Sequence, residues 1–199
     1  SVAYDAWRDL TEWPGRATMR ERLERNALNA GLSAAELARV LEDGGGPTTG
    51  DGKVALAQAY LSLGRAEEAT ALARTAWRND RLSAQAQAIV RSAFGSALST
   101  EDHKARVDIL LWREDYSEAR ALMPEIGYHD RLVAQARIAL QTRPRRGLQA
   151  AVDAVPASHQ DDPGFLYDRA DYIIDQGRWD DAAPYTARID ALAAPLAAR

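Results

Sequence analysis

The feature that most constrains the fold of this chain is a helix–turn–helix pattern that occurs three times. The copies are Ala57-x-x-Tyr60 with Gly64-Arg65-x-x-Glu68-Ala69, Val107-x-x-Leu110 with Asp115-Tyr116-x-Glu118-Ala119, and Ala170-x-x-Ile173 with Gly177-Arg178-x-x-Asp181-Ala182. Small residues let two helices approach, a glycine can end the first helix in the left-handed conformation, and an acid is favourable where the next helix begins. The second copy lacks the glycine. The pattern predicts helical hairpins joined by tight turns.

The hairpins predict an all-α fold. We expect an irregular right-handed α-solenoid, tetratricopeptide-like, that forms one superhelical domain over residues 1–199. Alanine, the best helix former, supplies 40 of the 199 residues, and 46% of the chain is hydrophobic, enough for a core. The matched alanines Ala69, Ala119 and Ala182 are 50 and 63 residues apart, too far and too unequally for a strict tandem repeat. Each hairpin is expected to bury its open face on its neighbours.

Capping signals give approximate helix bounds. Ser33 and Glu36 form a capping box, and Ser83 is a simple N-cap. A first helix is expected over residues 2–12, and a glycine-rich loop over 44–50 precedes a helix from Lys53. The later helices are predicted at 101–113, 116–123, 131–142, 145–154, 164–176 and 180–192.

Charge and composition exclude several functions. The net charge of −4 gives no overall attraction to nucleic acid. No stretch reaches the roughly 18 apolar residues of a membrane span. The chain has no cysteine, which excludes disulfides, thiolate catalysis and cysteine-ligated metals.

No residue pattern assigns a catalytic, metal or cofactor site. His103, His129 and His159 lack metal-ligand spacing, so they are interpreted as solvated or capping residues. There is no Gly-x-Ser-x-Gly elbow. The paired carboxylates sit mostly where helices begin, and there they stabilise the helix dipole.

The one predicted ligand contact is a basic turn formed by Arg143, Arg145 and Arg146 around Pro144. Proline restricts the turn, so three guanidinium groups would be held near a helix start, ready to bind an anionic or sugar ligand. The alternative is a plain exposed turn.

The tryptophans also have two interpretations. Their rings could stack on sugars, or they could fill the space between hairpins, and in helical arrays the second role is more common. Trp112 ends the apolar run Ile109-Leu110-Leu111-Trp112. It is therefore expected to be a buried wedge.

Several short motifs, in order and spacing, resemble the N-terminal superhelical region of the soluble lytic murein transglycosylases. The resemblance covers most of the chain and rests on Trp13-Pro14-Gly15, Thr49-Gly50-Asp51-Gly52, Ala76-Trp77-Arg78, Asp102-His103-x-x-Arg106-x-Asp108-x-Leu110-Leu111-Trp112, Ala136-Arg137-x-Ala139-Leu140, Arg145-Arg146-Gly147-Leu148 and Gly177-Arg178-Trp179. It implies a periplasmic, peptidoglycan-processing enzyme whose superhelix belongs to a ring that holds a glycan strand.

In that family the chemistry lies in a separate lysozyme-like domain, with a Glu-Ser pair and a Gly-Leu-Met-Gln motif that do not occur here. Cleavage needs a carboxyl group of raised pKa as general acid, and no residue of this chain can be given that role. The resemblance therefore implies the non-catalytic superhelical part of such an enzyme, N-terminal to the catalytic domain. The alternative is a stand-alone α-solenoid adaptor that binds a protein or peptide.

Overall fold

The computed structural model describes residue 12, residues 14–43 and residues 45–197, and of residues 193–197 it describes the backbone alone. Within these limits the fold is all-helical, with 77% helix and no strand, which confirms the all-α prediction. Residues 2–11 of the predicted first helix, which include Trp7, lie outside the described residues, and so does Trp13.

The described ranges contain eleven α-helices. They are α1 Arg16–Asn26, α2 Ala34–Glu42, α3 Gly50–Ser62, α4 Ala66–Asn79, α5 Ala84–Ile89, α6 Thr100–Trp112, α7 Tyr116–Leu122, α8 Tyr128–Thr142, α9 Leu148–Asp153, α10 Pro163–Ile174 and α11 Trp179–Ala197. A π-helical segment, Val90–Phe94, follows α5. The capping box of Ser33 and the N-cap of Ser83 are both present, as predicted.

The chain divides into two compact units, residues 1–102 and 103–199. In the first unit, α3 packs against α4 through alanines. Ala57, Ala69 and Ala73 have no exposed surface and meet Phe94 in one cluster. Their small side chains let the two helices lie close together. Trp77 on α4 is fully buried, which confirms its predicted packing role.

The glycine-rich loop ends earlier than predicted. Helix α3 begins at Gly50, not at Lys53, because Thr49 caps it with a hydroxyl that accepts from the Gly52 N–H at 3.1 Å. The buried carboxylate of Glu24 on α1 accepts the N–H groups of Thr48 at 2.9 Å and Thr49 at 2.7 Å. A Cβ on Gly52 would lie 2.9 Å from the Glu24 Cβ, so this glycine permits a close approach of helices.

A second buried carboxylate in this unit belongs to Asp102. Its Oδ2 accepts the Ser99 N–H at 2.8 Å and lies 3.1 Å from Arg74 Nε, while Oδ1 accepts from Arg78 Nη1 at 3.2 Å. Burial opposes ionisation, but the hydrogen bonds from Ser99 and the charges of Arg74 and Arg78 outweigh it and lower the pKa of Asp102.

The three predicted hairpin turns share one hydrogen-bond pattern. An N–H group just past the first helix donates to the carbonyl five residues earlier: Arg65 to Tyr60 at 2.9 Å, Asp115 to Leu110 at 2.9 Å, and Arg178 to Ile173 at 3.3 Å. This is the bond of a Schellman cap, which needs a residue of positive φ in the turn. Gly64 and Gly177 supply it at +79° and +74°, and Glu114 adopts +60° in the copy without glycine. The helix–turn–helix prediction is thus confirmed at all three places.

The second unit has its core between α8, α9 and α10. The cluster comprises Val133, Ala136, Leu140, Val152, Val155 and Phe165. Asp162 caps α10 by accepting the Phe165 N–H at 2.9 Å, and Pro163 occupies the first helical position, where its missing N–H costs nothing. This start places α10 against α8, where Asp168 of α10 contacts Arg137 of α8.

Candidate functional site

Two large aromatic rings are exposed side by side in the second unit. Trp112, at the end of α6, is 47% exposed, and Tyr167 on α10 is 49% exposed. Their ring centroids are 5.0 Å apart, with the planes tilted by 57°. The prediction that Trp112 is a buried wedge is wrong: Leu110 and Leu111 take the buried positions of this helix turn, and the indole lies on Tyr167 at the surface.

Arg137 lies against the Trp112 ring of the aromatic pair. Its guanidinium carbon is 5.0 Å from the Trp112 ring centroid, and its side chain is only 2% exposed. Nε donates to Asp168 Oδ2 at 2.7 Å, and Nη1 donates to Asp108 Oδ1. A buried guanidinium of this kind is held by paired carboxylates, since an unpaired buried charge is very costly.

The two carboxylates differ in exposure. Asp168 is 4% exposed and also accepts from Gln141 Nε2 at 2.8 Å. Burial raises the pKa of Asp168, while the charge of Arg137 and hydrogen bonds from Arg137 and Gln141 act in the opposite direction. Asp108, in contrast, is 52% exposed and keeps one oxygen that Arg137 does not use. The cluster therefore presents one oriented carboxylate to solvent.

Glycine makes room for this arrangement. A Cβ on Gly164, in the first turn of α10, would lie 2.3 Å from the Arg137 guanidinium carbon. Any larger residue would displace the guanidinium from between its two acids. The hydrogen bonds then fix Arg137, and Arg137 fixes Asp108 and the face of Trp112 that lies against it.

Exposed aromatic rings beside an oriented carboxylate are suited to binding sugars. A pyranose ring offers an apolar C–H face to an aromatic ring, and its hydroxyl groups donate to a carboxylate. The Trp112 and Tyr167 rings are suited to the first contact and Asp108 to the second. We name this cluster, Asp108, Trp112, Arg137, Tyr167 and Asp168, the aromatic site.

The three arginines of the predicted basic turn lie in two different environments. Arg143 ends α8 in the left-handed conformation, and its Nη2 pairs with Asp175 and lies 3.7 Å from Asp171. Its charge is thus engaged within the protein. Arg145 and Arg146 are exposed and make no ion pair with any other described residue.

The helix expected from Arg145 begins three residues later than predicted, at Leu148. Gly147 has φ +85° and therefore interrupts any helix that would include Arg145 and Arg146. The two arginines lie in a connecting segment, and their role as ligand contacts stays a prediction.

The histidines form no metal site. The His129 and His159 rings are 5.4 Å apart, and His159 Nε2 lies 3.7 Å from Asp130 Oδ1. Across the described parts of the chain, no group of three or more His, Asp or Glu side chains could hold a metal ion.

Sequence reasoning missed the aromatic site although it noticed some of its members. Asp108, Trp112 and Arg137 belong to the motifs quoted for the resemblance, but only Trp112 was given a role of its own, as a packing residue. Tyr167 and Asp168 were not singled out. The available signal was Pro163-Gly164 at a helix start, because glycine there indicates a close neighbour.

None of the described helices combines the length and apolar character that crossing a bilayer requires. Comparisons with protein-family models, with curated proteins and with solved structures yield no match to this chain.

Proposed function

We propose that this protein binds glycan strands through the aromatic site. The observation that carries the proposal is the exposed Trp112–Tyr167 pair, because two large rings together at the surface cost solvation free energy unless a ligand covers them. Asp108, held by the buried Arg137, adds a hydrogen-bond acceptor for hydroxyl groups at the same place.

The glycan we propose is the peptidoglycan strand. The sequence resemblance to the soluble lytic murein transglycosylases supports this choice, and the all-helical fold with three similarly capped hairpins agrees with it. In this proposal the chain is the non-catalytic, right-handed superhelical part of a periplasmic lytic transglycosylase. It holds the strand while a catalytic domain outside this sequence cleaves it.

The binding test uses calorimetric titration with a β-1,4-linked N-acetylglucosamine tetramer and with soluble peptidoglycan fragments. Trp112→Ala and Tyr167→Ala should each weaken binding about tenfold or more, equivalent to about 1.4 kcal/mol. Asp108→Asn should also weaken it, because a charge-assisted acceptor becomes a neutral one.

The matched control is Trp179→Ala. Trp179 lies in the same unit and is 67% exposed, and no aromatic partner for its ring occurs among the described residues. This variant should bind like the wild type. Equal weakening by Trp112→Ala and Trp179→Ala would contradict the proposed site, and absence of binding to both glycans would contradict the proposed function.

A further inference from the structure

A cleft of about 370 Å³ lies in the second unit, and its lining shares no side chain with the aromatic site. It is formed by α8, α9, α10 and α11, and it has an apolar part, a basic part and the ion pair of Arg178 with Asp181. Its lining includes Leu140, Val152, Ile173, Arg169, Tyr172 and Tyr185. Its size lies within the range of small-molecule sites.

The apolar part of the cleft is a wall formed by core residues of the second unit. Leu140, Val152 and Ile173 are all buried core residues. Leu140 and Val152 belong to the central cluster of this unit, so this wall does not depend on a mobile segment. It offers a surface for a hydrocarbon or amino-acid side chain.

The basic part of the cleft is Arg169. Its guanidinium carbon lies 4.7 Å from the Tyr185 ring centroid and 5.9 Å from that of Phe165. Stacking of this kind uses the faces of the guanidinium plane, so the N–H groups along its edge can still donate to a ligand. No carboxylate of the described chain pairs with Arg169, whereas the other arginine of the lining, Arg178, is bonded to Asp181 at 2.7 Å.

Two further positive charges lie close to the cleft along the chain. Leu148 and Gln149 belong to its lining, and they follow Arg145 and Arg146 by only a few residues. Both arginines are exposed and make no ion pair with described residues. Their field favours an anion near the cleft.

We propose that this cleft binds a small amphipathic carboxylate, with Arg169 as the group that anchors the carboxylate and the Leu140–Val152–Ile173 wall as the surface for the apolar part. A guanidinium edge donates two parallel N–H bonds to a carboxylate, and the tyrosine hydroxyl groups of the lining supply further donors. This proposal does not rest on the glycan-binding proposal.

The test is a titration of the whole 199-residue chain, followed by NMR of the backbone amides and of the arginine Nε–H groups. The probes are N-acetyl-leucine, its uncharged analogue N-acetyl-leucinamide, and inorganic phosphate. N-acetyl-leucine should shift the Arg169 Nε–H signal and the amides around Tyr172 and Tyr185. The amide analogue should bind at least about tenfold more weakly, and phosphate, which has no apolar part, should also bind more weakly.

Variants assign the contact to Arg169. Arg169→Gln should weaken N-acetyl-leucine binding at least about tenfold, and Arg169→Lys should weaken it less, because lysine keeps the charge but not the planar fork. Arg120→Gln is the control, since Arg120 is exposed in the same unit and lines a different cavity. It should bind as the wild type does.

Several outcomes would overturn the proposal. Equal affinity for the acid and its amide would exclude Arg169 as an anchor, and phosphate binding as tight as that of N-acetyl-leucine would exclude the apolar contact. Lack of any shift at millimolar probe would exclude the site. If Arg169→Gln unfolds the chain, Arg169→Lys carries the test, and binding unchanged by that variant would also reject the assignment. Each of these results is independent of glycan binding by Trp112.

Discussion

The turn after α6 offers a direct test of how these hairpins are built. It has the same Schellman hydrogen bond as the turns after α3 and α10, but Glu114 stands where those turns have Gly64 and Gly177. Glu114 has φ +60°, a conformation in which the Cβ of an L-residue crowds the backbone. Replacing Glu114 with glycine should therefore stabilise the protein.

The magnitude follows from two opposing terms. The left-handed conformation costs a residue with a Cβ about 1–2 kcal/mol, and this cost disappears in Glu114→Gly. Glycine also gives the unfolded chain more freedom, which costs about 0.5–1 kcal/mol. The net gain should be about 0.5–1 kcal/mol. Gly64→Ala should show the reverse, a loss of about 1 kcal/mol from the backbone alone, because a Cβ there meets no atom within 4 Å.

Urea unfolding followed by circular dichroism measures the effect, and the midpoint should rise in Glu114→Gly with no change in the slope m. Glu114→Ala is the control, because it removes the carboxylate but keeps the Cβ. It should change the free energy of unfolding by less than about 0.5 kcal/mol. A stabilisation by alanine equal to that by glycine would refute the backbone argument and point to the glutamate charge.

Three other perturbations test the buried groups. Asp168→Ala should lower the free energy of unfolding by about 3–5 kcal/mol, because it leaves the buried guanidinium of Arg137 without one of its partners. Glu68→Ala removes an exposed ion pair and should lower the same free energy by less than about 1 kcal/mol. Equal losses of the two variants in urea titrations would contradict this. The pKa of Asp102 lies below its ordinary value of 3.8, so ionised Asp102 stabilises the fold above that pH and this contribution is lost as the pH falls through the folded-state pKa. The stability difference between wild type and Asp102→Asn should accordingly shrink on acidification, and a constant difference from pH 7 to pH 3 would disprove the coupling. Trp77→Ala should lower the free energy of unfolding by about 3–5 kcal/mol and Trp112→Ala by less than about 1.5 kcal/mol, because Trp77 is fully buried and Trp112 is half exposed. A larger loss for Trp112→Ala in thermal melts would contradict this prediction.

Local signals predicted the parts of this fold that depend on neighbouring residues. The caps at Ser33 and Ser83 and the three hairpin turns each involve groups fewer than six residues apart, so the pattern of residue types is enough to indicate them. The start of α3 at Gly50 was missed although its cap, Thr49, is local. The amides of Thr48 and Thr49 that precede it are bound by Glu24, which lies more than twenty residues away and gives no local signal.

The aromatic site shows the same limit more clearly. Trp112 and Tyr167 are 55 residues apart in the chain, and their pairing depends on how α6 and α10 are placed. Helical periodicity shows that a residue belongs to an apolar run, but it does not show which side of the run has a neighbouring helix. Trp112 was therefore assigned to the core when its ring lies at the surface.

The buried carboxylate of Glu24 should slow hydrogen exchange at two amides that precede α3. It binds the amides of Thr48 and Thr49 at 2.9 and 2.7 Å, and its Oε1 accepts from Arg20 Nε at 2.8 Å. Those two amides can exchange with deuterium only when the Glu24 contact opens, which requires α1 to separate from the start of α3. Their exchange should be as slow as that of the α3 core, so these two loop amides would keep their protons as long as a helix does.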